Sequence, residues 1–322
     1  MKNWRILFWV ALLPSLTACY DDYIHDYEYS TMYVPHQIDV RTFVVGEGMR
    51  FKFGVELGGV RSNTVTRNAT FKLDPSLITA SKLIDMQNSS YPYIKNEMLL
   101  TDTLRLLPPS MYTLSNAETI SILPGNHTGT IEIKADSAAF LQDVSTRNAR
   151  YAIPFSLVSV DADRMLEHKS NAVIAVKYEN MLFGNYLHGG VTTVKSPTGN
   201  VVKTTVYRTS VSQGPTEIWN LVTSSPNSLV VRGYSNVTSA KPEIKLTLSG
   251  NNIDVASADG ATFAFESDGE SRFNGVRNLQ ERRIFLNYKY VDADGNTCSA
   301  QDTLTFRNRI RDGVNEWQGY GQ

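Results

Sequence analysis

Cysteine is almost missing from this chain, with Cys19 and Cys298 the only two in 322 residues. Two thiols cannot build a disulfide framework, and no Cys-x-x-Cys motif exists to hold zinc or run redox exchange. No His-Glu-x-x-His, P-loop or glycine-rich dinucleotide fingerprint occurs either. The histidines at 25, 36, 127, 168 and 188 are scattered, and no two share a spacing that would place them on one metal. Charge of a single sign is also lacking: 31 basic and 32 acidic residues leave a formal net charge of −1. Without a basic stripe, nucleic acid is excluded as a partner class. Long apolar runs are absent too. Residues 6–13 are cut off by Pro14 and fall short of the ~20 residues a spanning helix needs.

What is present begins at the N-terminus. Lys2 and Arg5 open a short apolar stretch that ends in Leu16-Thr17-Ala18-Cys19. This is the pattern of a bacterial lipobox. It predicts a signal peptide over residues 1–18 and a diacylglyceryl thioether on the Cys19 thiol. Acyl chains bind membranes at about 0.8 kcal/mol per buried methylene, so two or more give stable anchoring. The partner implied is the outer membrane, reached through lipid. Cleavage removes two basic residues and no acid, leaving 29 basic against 32 acidic and a net charge of −3. With Cys19 acylated, Cys298 has no partner and is expected inside a strand. Tyr20-Asp21-Asp22-Tyr23 opens an acidic, tyrosine-rich tether assigned to residues 19–33. Acids directly after the lipidated cysteine resemble the surface-export signal of Bacteroidota lipoproteins, which implies the outer face of the outer membrane. The plain alternative is a solvated linker facing the periplasm.

The body reads as all-β. Phe51, Phe53, Val55 and Leu57 alternate with polar or small residues, the period of a half-buried strand. Residues 151–160 and 172–178 are β-branched and aromatic. Ile120 and Ile122, the turn Pro124-Gly125-Asn126, then Ile131 and Ile133 predict a hairpin. Residues 137–142 and 161–169 are read as short helical turns. A second set of strands is expected at 201–209, 217–222, 228–234, 243–248, 252–256, 262–266, 283–290 and 303–306, joined by tight turns. Many short strands with such turns indicate sandwiches or barrels. The length suggests two domains, assigned to 34–180 and 181–322.

Several segments are family-specific. Tyr29-Ser30-Thr31-Met32-Tyr33-Val34-Pro35, Arg41-Thr42-Phe43-Val44-Val45-Gly46-Glu47, Leu57-Gly58-Gly59-Val60-Arg61 and Tyr112-Thr113-Leu114-Ser115 form one group. They resemble a Bacteroidota family of surface lipoproteins with an N-terminal immunoglobulin-like domain of unknown function. Phe183-Gly184-Asn185-Tyr186, His188-Gly189-Gly190-Val191 and Asp268-Gly269-Glu270-Ser271-Arg272-Phe273 resemble the C-terminal domain that accompanies it. The resemblance implies an immunoglobulin-like β-sandwich. The second domain is expected to be a β-sandwich or a flattened lipocalin-like β-barrel. It also implies an association with polysaccharide-utilisation systems, and so a glycan ligand and other polysaccharide-uptake lipoproteins as partners. Some relatives carry an endoglycosidase barrel after a similar first domain. Here about 140 residues follow, too few for the ~250 of a (β/α)8 barrel, and the Asp-x-x-Asp-x-Asp-x-Glu signature is absent. The reading is therefore a non-catalytic glycan binder. An adhesin for a host or matrix protein, a minimal glycosidase and a structural accessory subunit are the rivals.

The candidate residues follow from that reading. Trp317, Tyr234, Tyr320, Trp219 and Tyr207 are candidate glycan-stacking residues, because an aromatic face suits the apolar face of a pyranose. Trp219 alternates with Leu221, which favours core packing. Asp268 and Glu270 are a carboxylate pair of the kind glycosidases use, placed in a polar loop better explained as a turn. Asp292-Ala293-Asp294-Gly295-Asn296 recurs in part in calcium loops but lacks the terminal Glu, and Asp-Gly suits a hairpin. No cofactor is expected beyond this weak calcium option at Asp292 and Asp294. Thr103 and Ser137 lie in Asp-Ser/Thr-Ala/Leu triplets that resemble an O-glycosylation motif of exported Bacteroidota proteins, as does the triplet at Thr303. The sequons at Asn68, Asn88, Asn126 and Asn236 are expected to carry nothing.

Overall fold

The computed structural model describes residues 28–207 and 217–309. The first unit runs through β1 (Thr31–Tyr33), β2 (Ile38–Val45), β3 (Arg50–Gly58), β4 (Arg67–Leu73), α1 (Ala80–Gln87), α2 (Pro92–Met98), β5 (Arg105–Leu106), β6 (Tyr112–Leu114), β7 (Thr119–Ile122), β8 (Thr128–Ala135), α3 (Ser137–Gln142), β9 (Tyr151–Val160), β10 (Arg164–Met165) and β11 (Asn171–Asn180). One sheet is ordered β10-β1-β3-β8-β6 and the other β2-β11-β9-β4-β7. Strands β1-β3-β8-β6 and β11-β9-β4 stand in the places of the two sheets of an immunoglobulin-like sandwich. Strand β1 lies in the segment read from sequence as the end of the tether. It pairs with β3, Met32 opposite Leu57.

Alternation decides what each strand buries. Phe51, Phe53, Val55 and Leu57 of β3 point inward and meet Phe43, Phe71 and Phe155 from the opposite sheet. Phe53 stacks on Phe155 at 4.0 Å between ring centroids, and Phe43 packs on Phe51 and Phe140 at 5.0 Å each.

Two departures from the sequence reading concern connections. The turn at Pro124-Gly125-Asn126 does not close a hairpin: β7 pairs with β4 while β8 pairs with β3 and β6. The chain crosses between sheets there. Asn63 holds the crossover, its side-chain amide donating to Leu123 O and Asn126 O while its own carbonyl accepts from Gly125 N. A Cβ at Gly129 would sit 2.5 Å from Ser121 O, so the arch depends on glycine for close approach. The second departure is α1 and α2, which the all-β reading passed over. Thr79 caps α1, Pro92 opens α2, and Leu83, Met86, Ile94 and Met98 form a small core with Val40, Val173 and Ala175 on the outside of the second sheet. Residues 137–142 are helical as expected, whereas 161–169 hold only β10 and a 3-10 turn, Glu167–Lys169.

The second unit runs through β12 (Gly184–Lys195), β13 (Val201–Tyr207), β14 (Glu217–Ser225), β15 (Ser228–Val231), β16 (Gly233–Tyr234), β17 (Val237–Thr238), β18 (Ile244–Ser249), β19 (Asn252–Ser257), β20 (Glu266–Ser267), β21 (Ser271–Phe273), β22 (Arg283–Val291) and β23 (Thr297–Asn308). The expected strand at 262–266 shrinks to β20. On one edge β12 pairs first with β14 and further along with β13; on its other edge it pairs with β23. Antiparallel pairing through β15, β18, β19, the split β20 and β21, and β22 returns to β23 and closes an eight-stranded barrel. An eight-stranded barrel has room for little besides its own side chains. Tyr186, Trp219, Leu221, Leu246, Tyr288 and Leu304 are among those that fill it. Asp292 makes the β22–β23 hairpin turn: its carboxylate accepts from the N–H of Asp294 and Asn296 and from the Asn296 amide. Cys298 is buried on β23.

The apolar cores part between Tyr178 and Leu182, but the units are clamped together. Val44 of β2 joins the barrel core. Glu47, in the β2–β3 turn, takes both guanidinium nitrogens of Arg309 at 2.9 and 3.2 Å, and Arg282 at 3.2 Å. Both arginines also donate to Met181 O.

Candidate functional site

His188, one of the scattered histidines, sits in a buried polar network of the barrel. Alternation on β23 turns Asp302 inward among apolar neighbours, and burial without partners would be costly for a carboxylate. Its partners are supplied by three strands. Tyr207 donates to Oδ1, Tyr288 donates to Oδ2 at 2.8 Å, and His188 Nε2 lies 3.1 Å from Oδ2. Because Tyr207 spends its proton on Asp302, Thr192 is the donor in the 3.1 Å contact between their hydroxyls. Ser235, held at φ 47°, donates its N–H to the Tyr288 oxygen at 2.6 Å. Burial, reinforced by the Asp302 charge, pushes both tyrosine hydroxyls up, so they remain protonated donors. The His188 ring stacks on Trp219 at 3.8 Å. A Cβ at position 190 would lie 2.2 Å from Gln301 O, so Gly190 lets β23 bring Asp302 close.

This places the sequence candidates. Trp219 is only 3% exposed and Tyr207 is half-buried and bonded to Asp302, so neither offers a sugar a free ring face. Tyr234 is half-buried against Phe263, Phe265 and Tyr290 at 5.6, 5.3 and 5.2 Å. Trp317, Tyr320 and Cys19 lie outside the described residues. Asp268 and Glu270 are exposed on a turn, Glu270 3.8 Å from Arg272. Thr103 and Ser137 are exposed, but Asp136 of the second triplet is spent capping α3 through Ala139 N. The triplet at Thr303 contains the buried Asp302.

A different set of residues forms an open concavity. A cleft of about 450 Å³ lies between the sandwich and the barrel, within the ~300–1,000 Å³ usual for ligand sites. Val144 and Arg147 line it from a 3-10 turn that follows α3, with Asn148 at that turn's end. Asp143 caps the turn through Ser145 N and accepts from the Tyr151 hydroxyl, which together hold its carboxyl below the usual range. The opposite wall is Ser224, Ser225 and Pro226, where β14 ends. Tyr178 forms part of the floor. Asn180 ties the end of β11 to the second wall: its N–H donates to Thr223 Oγ1 at 3.0 Å and its side-chain amide to Pro226 O at 2.8 Å. Glu179 is committed to Lys177 and Thr223. Among the described residues, no group of three or more His, Cys, Asp and Glu is arranged to hold a metal. No sequence signal joins residues 144–148 to 224–226, which lie about 80 positions apart.

Comparison with known proteins adds the following. A family model described as a "-like, N-terminal domain" matches residues 23–164, less than half of the chain. A comparison with curated proteins finds no match. A structural-genomics protein of unknown function from Bacteroides ovatus is 21% identical, aligns over 90% of this chain and 97% of its own, and superposes with a TM-score of 0.60. The two share a fold. A multidomain protein including DUF1735, also from Bacteroides ovatus, aligns over 89% of this chain and 97% of its own at 12% identity and TM-score 0.40. EndoBT-3987 of Bacteroides thetaiotamicron, solved with a Man5GlcNAc product, aligns over 44% of this chain and 28% of its own at 15% identity and TM-score 0.30.

Proposed function

We propose that this protein is a lipid-anchored outer-membrane protein that captures extracellular glycans without cleaving them. The observation that carries the binding role is the cleft. It is concave, walled by both β units, and offers apolar surface from Val144 and Pro226 beside the polar groups of Arg147, Asn148 and Ser225. Mixed apolar and hydrogen-bonding walls are what a sugar, with its apolar face and hydroxyl rim, requires. Polysaccharide-uptake lipoproteins as neighbours follow from the sequence resemblance.

The test is an oligosaccharide array probed with detergent-solubilised full-length protein. Affinities in the micromolar to millimolar range are expected, on the order of −4 to −8 kcal/mol, because sugar hydroxyls trade water hydrogen bonds for protein ones at small gain. Polymers regain strength by avidity. An array silent toward glycans but a protein ligand captured would favour the adhesin reading.

Anchoring has its own test. Cys19→Ala should abolish acyl labelling and leave an uncleaved or soluble product; unchanged labelling would refute the lipobox. Protease added to intact cells should remove the wild-type protein. Protection in intact cells would place it in the periplasm.

A further inference from the structure

Arg147 is a cation that the fold leaves unspent. At the unit boundary the buried Arg282 and Arg309 share Glu47. Arg147 makes no hydrogen bond or ion pair among the described residues, although it lines the cleft and is exposed. Asp143 and Glu179, close to the cleft in sequence, are held by other partners. Asp143 accepts from Ser145 N and the Tyr151 hydroxyl, and Glu179 accepts from Lys177 and Thr223. Beside Arg147, the Asn148 side chain also lacks a hydrogen-bond partner. Across the cleft the Ser224 hydroxyl is buried in the wall. The Ser225 hydroxyl donates to Asn227 and so retains accepting capacity.

We propose that the cleft selects acidic sugars, with Arg147 pairing the anionic substituent and Asn148 and Ser225 reading neighbouring hydroxyls. A guanidinium matches the planar carboxylate of a uronic-type sugar bidentately, and it also accepts a sulfate ester. The shared chemistry is an anionic group on an oligosaccharide. This inference rests on the glycan-binding reading above and narrows it to a substrate class.

The test measures binding of detergent-solubilised full-length protein to three matched oligosaccharides: neutral, carboxylated and sulfated. The acidic forms should bind about tenfold more tightly than the neutral one at low salt. The advantage should shrink at high salt, because Arg147 is exposed and its field is screened. Arg147→Ala should erase the difference, bringing the acidic forms down to the level of the neutral one in the same variant with the circular dichroism spectrum unchanged, and Arg147→Lys should keep part of it. Preference for the sulfated over the carboxylated form, lost in Arg147→Ala, supports the anionic class and assigns sulfate. Equal binding of neutral and acidic forms, with no effect of Arg147→Ala, overturns the anionic selection and leaves glycan binding standing. Failure of all three to bind overturns both.

Discussion

Asp302→Ala should destabilise the protein by about 2–5 kcal/mol, since it strands the buried Tyr207 and Tyr288 hydroxyls that now donate to it. Urea unfolding followed by tryptophan fluorescence is a suitable measurement, because Trp219 lies in the same layer, stacked on His188. Asp302→Asn should lose less, as the amide oxygen can still accept one of the two hydroxyl protons. The network also predicts non-additivity. Tyr288→Phe combined with Asp302→Ala should cost less than the sum of the two single changes, because both remove the same Tyr288–Asp302 hydrogen bond. Strict additivity, or a loss below about 1 kcal/mol, would mean that the carboxylate is not a shared acceptor.

Breaking the clamp between units should be the second-largest effect. Glu47→Ala leaves Arg282 and Arg309, with side chains only 1% and 6% exposed, without their counter-charge. About 3 kcal/mol is expected, the low end for a broken buried pair, because Glu47 itself keeps 27% exposure. The clamp also sets an acid limb. Burial works to raise the Glu47 carboxyl, but the hydrogen bonds and charges of Arg309 and Arg282 outweigh it and hold the group below its ordinary 4.5. As pH falls, the unfolded chain therefore takes up this proton first. The stabilisation is complete above about pH 4.5 and is lost as pH drops through the depressed folded value. Glu47→Gln should be less stable than wild type at neutral pH, and the gap should narrow below pH 4.5. A gap that is constant with pH would show that the charge of Glu47 contributes nothing.

Much of the all-β body was legible because period-two alternation is a local signal. Phe51 to Leu57, residues 151–160 and the Asp292 hairpin stand where the pattern puts them. The helical pair at 80–98 was legible in principle, with Thr79 as a cap, Pro92 at a helix start and Ile94–Met98 four apart. It was passed over because each helix is too short to show a sustained period. The turn at residues 124–126 is a different kind of miss. Turn chemistry marks where a chain reverses, but not whether the returning strand joins the same sheet or the facing one. Here Asn63, more than sixty residues upstream of the turn, is what holds the crossover.

The aromatic candidates show the same division. A tryptophan on an alternating strand can be read as one face or the other, and barrel closure put Trp219 inside with His188. By itself the sequence determined most of the strands, the turn residues and the candidate lipid anchor. These depend on neighbours a few positions away. Only the tertiary structure decided that the second unit is a closed barrel, that Asp302 gathers two tyrosines and a histidine, and that Arg147 faces Ser224 across a cleft. Those are contacts between residues tens to more than a hundred positions apart. They depend on which strands pair and how two cores dock, and no local pattern carries that information.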